Sequence, residues 1–409
     1  MEVLHEICCG LDVHKNSITA CLRKGKMSEV RTFGTVTRDL LEMYDWLSEN
    51  GCMHVAMEAT GVYWKPVYNI LESGFNLILV NAKHIKAVPG RKTDVKDAEW
   101  IAQLLQHGLL QPSFVPRSQF RELRDLTRHR TKLVQQRAAV INRIQKILED
   151  ANIKLASVAT DIMGKSGRAM LDEIVAGNTD HEALAELARS SLRNKIPELR
   201  EALRGRITDH HRFMLGELLA QADYLQSAIG RASKRIEVEM RPFDDKLDRG
   251  SSIPGVGKNT LEKVLAELGP DMNQFQSDKH LLSWAKICPG NNESAGKHMS
   301  GNIGKGNNWL IGALLEAAWS AIKVKGTYLQ AFYNRVARRR GKCRAIIAVA
   351  AKILKIIYHI WQDGTTYKEL GANFFDKLNE DRLKSQLIRR LESLDLNVSV
   401  TPKLPAVVC

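Results

Sequence analysis

Residues 1–115 alternate between segments whose apolar positions follow a strand period and segments that follow a helix period. EICCGLDV, SITACLR and SEVRTFGTV predict three strands, and TRDLLEMYDWLSENG predicts a helix with Thr37 as its N-cap and Gly51 as its stop. CMHVAMEAT and NLILVNA predict two more strands, separated by the short helix VYWKPVYNILESG. A last helix, TDVKDAEWIAQLLQHG, is predicted to begin at a Thr93 cap and to stop at Gly108.

This order, βββαβαβα, is that of the ribonuclease H-like fold, so the chain is predicted to open with an α/β domain. From Pro116 onward the sequence becomes charged and helical, and Leu126, Leu133, Val140 and Ile147 recur every seven residues. That spacing predicts a long helix that pairs with another, as in a coiled coil. The predicted domains are a ribonuclease H-like domain at 1–115, a helical or coiled-coil region at 116–245, a mainly α-helical C-terminal domain at 246–365 and a charged helical tail at 366–409.

The charge of the chain points to a polyanionic partner. The 60 Lys and Arg residues outnumber the 46 Asp and Glu residues, which gives a formal net charge of +14. Nucleic acid fits such a surplus better than a membrane surface does. A stripe at helical spacing and a later cluster are the candidate phosphate contacts, although a solvated helix face is the plainer interpretation of the stripe. The stripe is Arg117, Arg121, Arg124, Arg128 and Lys132, and the cluster is Arg335, Arg338, Arg339, Arg340, Lys342 and Arg344.

Other features indicate a cytoplasmic, nucleoid-associated protein that does not enter a membrane. The first residues lack the pattern of a signal peptide. The longest apolar run, which starts at Ala345, carries Lys352 and Lys355 and therefore predicts a packed helix. The 7 cysteines are scattered without a C-x-x-C pair, so the sequence favours neither a disulfide framework nor a zinc site.

Four carboxylates of the first domain are expected to converge. Asp12 lies on the central first strand, on a face expected to be lined otherwise by Ile and Leu, and Glu58 ends the fourth strand nearby. Asp94 and Asp97, three residues apart, share one face of the helix predicted to cover the same sheet. Converging carboxylates repel one another, and an all-oxygen ligand set favours Mg²⁺ or Mn²⁺. Metal-dependent phosphoryl transfer is the predicted chemistry.

Each acid also has a plainer explanation. Asp94 alone would be a first-turn aspartate favoured by the helix dipole, and Asp97 a solvated residue. Glu58 alone could be a surface group at the end of a strand. Asp12 is the hardest to explain this way, because an unpaired charge inside an apolar strand is costly.

The Gly-rich segment CPGNNESAGKHMSGNIGKGNNWLIG precedes a convincing helix. Its amide groups, together with Lys297 and Lys305, are expected to attract phosphate, although the spacing is not that of a Walker A loop. Ser294 and Ser300 are candidate nucleophiles, but from chemistry alone neither stands out, because loop serines are usually turn formers.

IPGVGKN is a second glycine motif, and it ends just before Thr260. It resembles the hairpin of helix-hairpin-helix modules, whose backbone amides contact DNA phosphates, and Lys258 would be part of that contact. An ordinary tight turn between two helices is the alternative.

Five segments together resemble the DEDD transposases of bacterial insertion sequences, the insertion-sequence one-ten family with its eleven-eleven subgroup. They are GLDVHKNSITAC, MEATGVYWKPVYNIL, NAKHIKAVPGRKTDVKDAEWIAQLLQHGLL, IPGVGKNTLEKVLAELG and CPGNNESAGKHMSGNIGKGNNWL. The resemblance implies a RuvC-like domain, a coiled-coil middle and a C-terminal transposase domain. It places the metal-binding tetrad on Asp12, Glu58, Asp94 and Asp97, and the catalytic serine on Ser294 ahead of Ser300.

The resemblance further implies strand exchange through a covalent phosphoserine link and a four-way junction. A noncoding RNA encoded by the element would guide the protein to donor and target DNA, and the protein would act as a homo-oligomer, a dimer or a tetramer. Two alternatives stay open: a junction resolvase that cleaves DNA with water, and a non-catalytic nucleic-acid-binding protein. The residues expected to contact nucleic acid are Arg117, Arg121, Arg124, Arg128, Lys132, Lys258, Lys297, Lys305, Arg338, Arg339 and Arg340.

Overall fold

The computed structural model describes residues 2–59, 61–81, 97–288, 293–294, 297–298, 304, 306–378 and 380–401; for 293–294, 297–298 and 383 it describes the backbone. The chain divides into two compact units, Met1–Ser118 and Gln119–Cys409. The first unit is built on a mixed β-sheet, and the second is mainly helical.

The first unit contains a five-stranded sheet with the strand order β3-β2-β1-β4-β5. The first three strands form an antiparallel meander, and the other two continue the sheet in parallel with β1. The order of elements therefore matches the predicted βββαβαβα pattern. The elements are β1 (Ile7–Val13), β2 (Ile18–Lys24), β3 (Met27–Phe33), α1 (Thr37–Glu49), β4 (His54–Glu58), α2 (Trp64–Leu71), β5 (Asn76–Val80) and α3 (Asp97–Gln106).

Alternation of side chains gives this sheet two different faces. Leu11, Ile18 and Met57 contribute to a large core under α1 and α2, whereas Cys8 and Ala56 lie on the opposite face with α3.

The predicted stop at Gly51 is confirmed by its positive φ of 65° just after α1. The predicted cap at Thr37 is wrong. Val36 is the N-cap, because its carbonyl already accepts the first helical bond, from the Leu40 amide, and Thr37 is the first helical residue.

The predicted stop after α3 is also confirmed, because Gly108 has a φ of 66° and its amide donates to the Leu105 carbonyl. The predicted cap at Thr93 lies outside the described residues.

Most of the described residues from Ser118 onward are helical. Short 3₁₀ turns at Ser190–Lys195, Arg241–Phe243 and Met272–Gln274 separate some of the helices, and one two-stranded sheet interrupts them. The elements are α4 (Ser118–Asp150), α5 (Leu155–Val158), α6 (Lys165–Val175), α7 (His181–Glu186), α8 (Ile196–Ala202), α9 (Asp209–Met240), α10 (Asp244–Ser251), α11 (Lys258–Leu268), α12 (Asp278–Trp284), β6 (Glu293–Ser294), β7 (Lys297–His298), α13 (Asn308–Ala321), α14 (Tyr328–Arg340), α15 (Lys342–Asp363), α16 (Phe374–Leu378) and α17 (Glu380–Glu392).

Two long helices, α4 and α9, run in opposite directions. His211, near the start of α9, bonds through Nε2 to Asp150 Oδ2, at the end of α4, over 2.9 Å. Leu123 near the start of α4 shares a core with Met240 at the end of α9. Of the predicted heptad positions on α4, the middle ones are buried and the outer ones are partly buried. Supercoiling of this pair remains a prediction.

The apolar segment from Ala345 forms part of α15, which is packed into the core of the second unit as predicted. Lys355 on α15 pairs with Asp278 over 2.5 Å, which satisfies one of the charges on this helix. Within the described part of the chain, no helix has the length and apolar character that crossing a bilayer requires.

Candidate active site and nucleic-acid interface

Asp12 lies near the end of β1, the central strand of the sheet. Its Oδ2 atom is 3.0 Å from Nε2 of His14, and 21% of its side-chain surface is exposed. Asp12 shares its face of the strand with Cys8 and Gly10, not with the expected isoleucine and leucine side chains. For β1 itself that expectation fails, because bulky residues such as Leu11 alternate onto the other face. The isoleucine and leucine side chains on the Asp12 side of the sheet come from β5 and α3.

Gly10 explains why a helix can lie so close to Asp12. A Cβ atom at Gly10 would stand 2.3 Å from the Ala102 amide nitrogen and 2.4 Å from the Ala98 carbonyl oxygen. No side chain fits into that space, so the absent side chain lets the α3 backbone approach the strand directly. This contact fixes the height of α3 above the sheet.

The direction of α3 brings Asp97 to the same end of the strand as Asp12. The Gln106 carbonyl, at the end of the helix, accepts bonds from the backbone at Leu4 and His5, before β1 begins. The first turn of α3 therefore lies over the later part of β1. Asp97, its first described residue, is half-buried there. Asp94 lies outside the described residues.

Glu58 ends the strand beside Asp12. β4 pairs with β1 in parallel, and Met57 is in register with Leu11. The next residues, Glu58 at the end of β4 and Asp12 one residue before the end of β1, therefore lie side by side on one face. Three of the four predicted carboxylates are thus carried by two adjacent strand ends and by the helix over them.

The chemistry of this donor set fits a hard divalent cation, because carboxylate oxygens are the ligands that Mg²⁺ and Mn²⁺ prefer. In the part of the chain that the structure describes, no group of three or more His, Cys, Asp or Glu side chains is close enough to hold a metal ion. Asp12, Glu58 and Asp97 therefore do not form a complete ligand set by themselves. The fourth member of the predicted tetrad is Asp94, which is not among the described residues.

His14 is a site neighbour that the sequence prediction left out. It follows Asp12 by two residues, and residues two apart in an extended chain share one face. That spacing in the segment DVHK was the available signal.

The predicted serine loop contains a small hairpin. Glu293–Ser294 pairs antiparallel with Lys297–His298, and Ser294 stands directly opposite Lys297 in the backbone register. Ser300 and Lys305 lie outside the described residues. In this hairpin the backbone of Ser294, the predicted nucleophile, lies beside the backbone of Lys297, a predicted phosphate contact.

The two ends of this loop come together. A Cβ atom at Gly306 would lie 2.2 Å from the Ala285 carbonyl oxygen, and one at Gly304 would lie 2.7 Å from Cδ of Lys286. The residues before and after the loop therefore pack closely against each other, because Gly304 and Gly306 have no side chain of their own. The loop is closed at its base.

Asn307 and Glu267 fix the later end of that base. The Asn307 side-chain oxygen accepts the amides of Trp309 and Leu310 and so caps α13. Its Nδ2 donates to Oε2 of Glu267 over 2.7 Å. Glu267 is buried on α11, with 1% of its surface exposed. The start of α13 is thus tied to a buried carboxylate.

Two arginines of the predicted phosphate stripe bind the same carboxylate. Arg128 donates through Nε and Nη2 to the two oxygens of Glu267 over 2.7 and 2.8 Å. Arg124 approaches it within 3.3 Å and also donates to the Ala266 carbonyl. Burial lowers the pKa of Arg124 to about 10, although the Glu267 charge acts to raise it. Both guanidinium groups are therefore held by the fold rather than pointing freely outward.

The rest of the stripe is mixed. Arg117 is exposed and Arg121 is half-buried, while Lys132 is exposed and its Nζ lies 5.9 Å from the centre of the Trp309 ring. Arg130, between the stripe positions, is buried and pairs with Glu262 over 2.7 Å. The helical spacing of the stripe did not reveal that Arg121, Arg124 and Arg128 are half-buried.

The IPGVGKN segment forms the turn between α10 and α11, and its two glycines differ. A Cβ atom at Gly255, where φ is 79°, would lie 2.4 Å from the Ala321 backbone, whereas nothing lies within 4 Å of one at Gly257. Gly257 is the N-cap of α11 and provides no side chain to bond the first amides. Lys258 beside it is exposed. This helix start is open in the way that an anion site requires.

Arg338, Arg339 and Arg340 occupy the last turn of α14, and all three are exposed. Cations in this position complement the carbonyl end of a helix, so a structural explanation exists for them as well.

Two family models match the chain. The model described as Transposase, DEDD_Tnp_IS110, matches residues 9–153, and the model described as Transposase IS116/IS110/IS902 family matches residues 249–334. The two matches together span more than half of the 409 residues. The chain belongs to the IS110 family of transposases. It is accordingly an enzyme of the DNA transposase and recombinase class.

Curated relatives of this IS110-family chain carry corresponding names. A probable family 20 transposase of Pseudomonas aeruginosa is 23% identical over 88% of this chain and 94% of its own length. The transposase for insertion sequence element IS1111A of Coxiella burnetii is 25% identical over 78% of this chain and 79% of its own length. A pilin gene-inverting protein of Moraxella lacunata is 24% identical over 86% of this chain and 94% of its own length.

The two matched segments divide the predicted site of this transposase-family chain. The first contains Asp12, Glu58, Asp94 and Asp97, and the second contains Ser294. The later residues from Arg335 onward, including α16 and α17, lie beyond both matches.

Proposed function

We propose that this chain is the transposase of a bacterial insertion sequence and that it cleaves and exchanges DNA strands with a carboxylate tetrad and a serine nucleophile. The observation that carries the proposal is the coincidence of Asp12 and Glu58, side by side on adjacent strand ends, with the start of a helix that contains Asp97. The order of elements supports a ribonuclease H-like, RuvC-like assignment for this unit. The DEDD name of the matching model supports the same identification.

Asp12, Glu58, Asp94 and Asp97 would hold divalent metal, Mg²⁺ or Mn²⁺. When bound, the metal supplies charge stabilisation at the phosphate under attack. The protein's part is to keep the oxygen ligands at fixed positions. Gly10 contributes to this by letting α3 lie directly on β1. His14 would orient the Asp12 carboxylate through their 3.0 Å contact.

Ser294 would act as the nucleophile. Its hydroxyl oxygen forms a bond to a DNA phosphorus and loses its proton, while the bond from phosphorus to the leaving deoxyribose oxygen breaks and that oxygen gains a proton. The phosphodiester energy is conserved in a covalent phosphoserine link. Attack on that link by a hydroxyl of another strand releases the serine and joins the exchanged strands. Lys297, its partner in the hairpin register, would contact the phosphate.

Strand exchange, rather than cleavage alone, is supported by the relatives. One of them is named for inverting a pilin gene, which is a rearrangement of DNA. We therefore propose that donor and target DNA are held together in a homo-oligomer, a dimer or a tetramer. An element-encoded RNA would choose the sequences, and the protein would read backbone and shape. Cytoplasmic, nucleoid-associated location and the four-part domain division remain predictions.

The surplus of 14 positive charges supports the same partners. Arg117, Arg121, Lys132, Lys258, Lys305 and Arg340 remain proposed phosphate contacts, as do Lys297, Arg338 and Arg339. Arg124 and Arg128 are proposed contacts only through the parts of their surface that Glu267 leaves accessible.

The runner-up is a junction resolvase that uses the same carboxylates but attacks with water. A denaturing gel separates the two functions. Purified protein is incubated with Mg²⁺, labelled four-way junction DNA and RNA transcribed from the sequence flanking its gene. The gel is then inspected for labelled DNA that migrates with the protein.

We expect an adduct with the wild-type protein and none with Ser294→Ala or with Asp12→Asn, while the matched control Ser300→Ala retains it. Cleaved DNA without an adduct, still produced by Ser294→Ala, would instead establish the resolvase function. An adduct that persists in Ser294→Ala but not in Ser300→Ala would move the nucleophile to the second serine.

A further inference from the structure

An arginine-lined groove lies in the last part of the second unit, between α14 and the helices of the tail. Its volume is about 710 Å³. One wall is formed by α14 and the other by α16 and α17. The residues that matter for its chemistry are Asn334, Arg335, Arg338, Arg339, Arg382 and Gln386. Most of the groove lies outside the two family matches, because it begins at the end of the second match and continues past it.

The tail wall of the groove is fixed to the body of the unit by aromatic contacts. Phe375 stacks on Tyr328 with ring centres 5.3 Å apart, and Phe374 meets the same ring edge-on at 5.2 Å. Lys352 on α15 lies 5.9 Å from the Tyr328 ring on that cluster. These contacts join α16 to α14, and α14 in turn to α15, so the α16 side of the groove is held against the body of the unit.

Glu369 strengthens the connection just before α16. One of its oxygens accepts the backbone amide of Tyr328 over 2.7 Å and that of Gly371 over 2.8 Å. The carboxylate therefore binds both the start of α14 and the turn into the tail. These hydrogen bonds fix the position of the chain where it enters the tail, so the tail does not begin as an unattached, solvated segment.

The charge inside the groove is strongly unbalanced. Four guanidinium groups, on Arg335, Arg338, Arg339 and Arg382, line it with one carboxylate, Asp376. Among the residues that the structure describes, none of these four arginines forms an ion pair with a carboxylate. Arg335 is held instead over the Phe375 ring, 4.9 Å from its centre.

The plainer explanation covers only part of this arrangement. Arginines in the last turn of α14 complement its dipole, and arginines on α17 keep a surface helix soluble. Neither reason makes positive charges from two separate helices converge on one concavity. Planar guanidinium groups are suited to bidentate contacts with phosphate oxygens, and the amides of Asn334 and Gln386 can bond sugar or base groups.

We propose that this groove binds the phosphodiester backbone of a nucleic-acid strand, and that the tail helices are part of the nucleic-acid-binding surface of the protein. The inference rests on the proposed function, which requires the chain to hold both RNA and DNA. RNA and DNA share the phosphate chemistry that the arginines would recognise, so the experiment has one arm for each.

The test compares two double variants of the full-length protein that lose the same charge. Arg338→Gln with Arg382→Gln removes one arginine from each wall and spares Arg335, which packs on Phe375. The control, Arg204→Gln with Arg206→Gln, removes two exposed arginines that are distant in sequence from the groove residues. Fluorescence anisotropy measures the Kd for a labelled single-stranded RNA, for the DNA strand of the same sequence and for its duplex, each over a series of salt concentrations.

We expect the groove variant to bind at least one of these probes on the order of tenfold more weakly for each phosphate that an arginine no longer reaches. The slope of log K against log salt should also become shallower by about 0.7 per such phosphate for a single strand, or about 0.9 for the duplex. Weakening with the RNA alone identifies RNA as the occupant, and weakening with a DNA probe alone identifies DNA. The control variant should keep the wild-type slope.

Equal Kd values and equal slopes for the two double variants would overturn the inference. Far-ultraviolet circular dichroism checks that the groove variant is folded, and the single variant Arg382→Gln replaces it if it is not. Adduct formation on junction DNA is measured separately. Suppose that the wild-type protein forms no adduct, and that the groove variant still binds nucleic acid more weakly than the wild type. The proposed catalysis would then be contradicted, and the inference about the groove would stand. A protein that binds none of the probes would contradict both.

Discussion

The arginines near the start of α4 and those near the end of α14 are both groups of basic residues on a helix, but their surroundings in the structure differ. Arg124 and Arg128 are turned toward Glu267, a buried carboxylate that also binds Asn307. Arg338 and Arg339 are exposed and line a groove with little negative charge. The first group holds helices together, and the second is available to a ligand. A run of basic residues therefore indicates a phosphate contact only when no buried acid faces it.

The largest expected effect follows from removing the acid in the first group. Glu267→Ala leaves two guanidinium groups without their buried partner, and we expect it to lower the free energy of unfolding by about 3–5 kcal/mol. Urea unfolding followed by circular dichroism measures this. The control Arg339→Gln should change it by less than about 0.5 kcal/mol. Equal losses in the two variants would remove the distinction between the groups.

Asp12 provides a second contrast with Glu267, because it is an acid expected to serve a ligand rather than the fold. Asp12→Asn should change the free energy of unfolding by less than about 1 kcal/mol, since its contact with the exposed His14 is a weak one. Binding of Mn²⁺, measured by electron paramagnetic resonance, should fall clearly. Unchanged Mn²⁺ binding together with a large loss of stability would make Asp12 a structural residue.

A change in stability smaller than that of Glu267→Ala tests the geometry of the Arg128 pair. Arg128→Lys keeps the positive charge but cannot reproduce two parallel bonds to Glu267, so we expect a loss of about 1.5 kcal/mol in the free energy of unfolding. Arg338→Lys is the matched change in the groove, and it should leave stability unaltered. A stable Arg128→Lys protein would show that charge alone is enough at Glu267.

The mildest test uses the thiols. Cys343 is exposed beside the basic cluster, whereas burial raises the pKa of Cys8 to about 11. Only about one part in a thousand of the Cys8 thiol is ionised three pH units below that value, so alkylation of Cys8 should stay slow and increase with pH. Mass spectrometry after iodoacetamide treatment should find Cys343 labelled before Cys8, and bound nucleic acid should slow the labelling of Cys343. Faster labelling of Cys8 would contradict the burial of that face.

The order of strands and helices in the first unit was predictable from the sequence. Apolar periodicity and glycine stops such as Gly51 and Gly108 are local signals, and the structure follows them. The neighbours of Asp12 were not predicted correctly, because the face on which a strand residue lies depends on which elements cover each side. The role of Gly10 depends on the approach of α3, a contact between positions far apart in the chain.

The site was predictable as a set of residue types and only partly as geometry. Their positions on the predicted first and fourth strands singled out Asp12 and Glu58, and the structure brings them side by side near the ends of two adjacent strands. The Glu267 network was missed, because the pairing of Arg128 with an acid of α11 leaves no trace in the helical spacing of either segment. The groove was missed for a similar reason, since half of it comes from tail helices whose sequence pattern indicates no role.

The most direct test of the central claim is to locate the bond between protein and DNA. The junction adduct is digested with trypsin and nuclease, and tandem mass spectrometry identifies the residue that retains a nucleotide. The account predicts the nucleotide on Ser294, in protein that requires Asp12 and a divalent metal to form the adduct. A nucleotide on any other residue, or an adduct that forms equally well in Asp12→Asn, would contradict it.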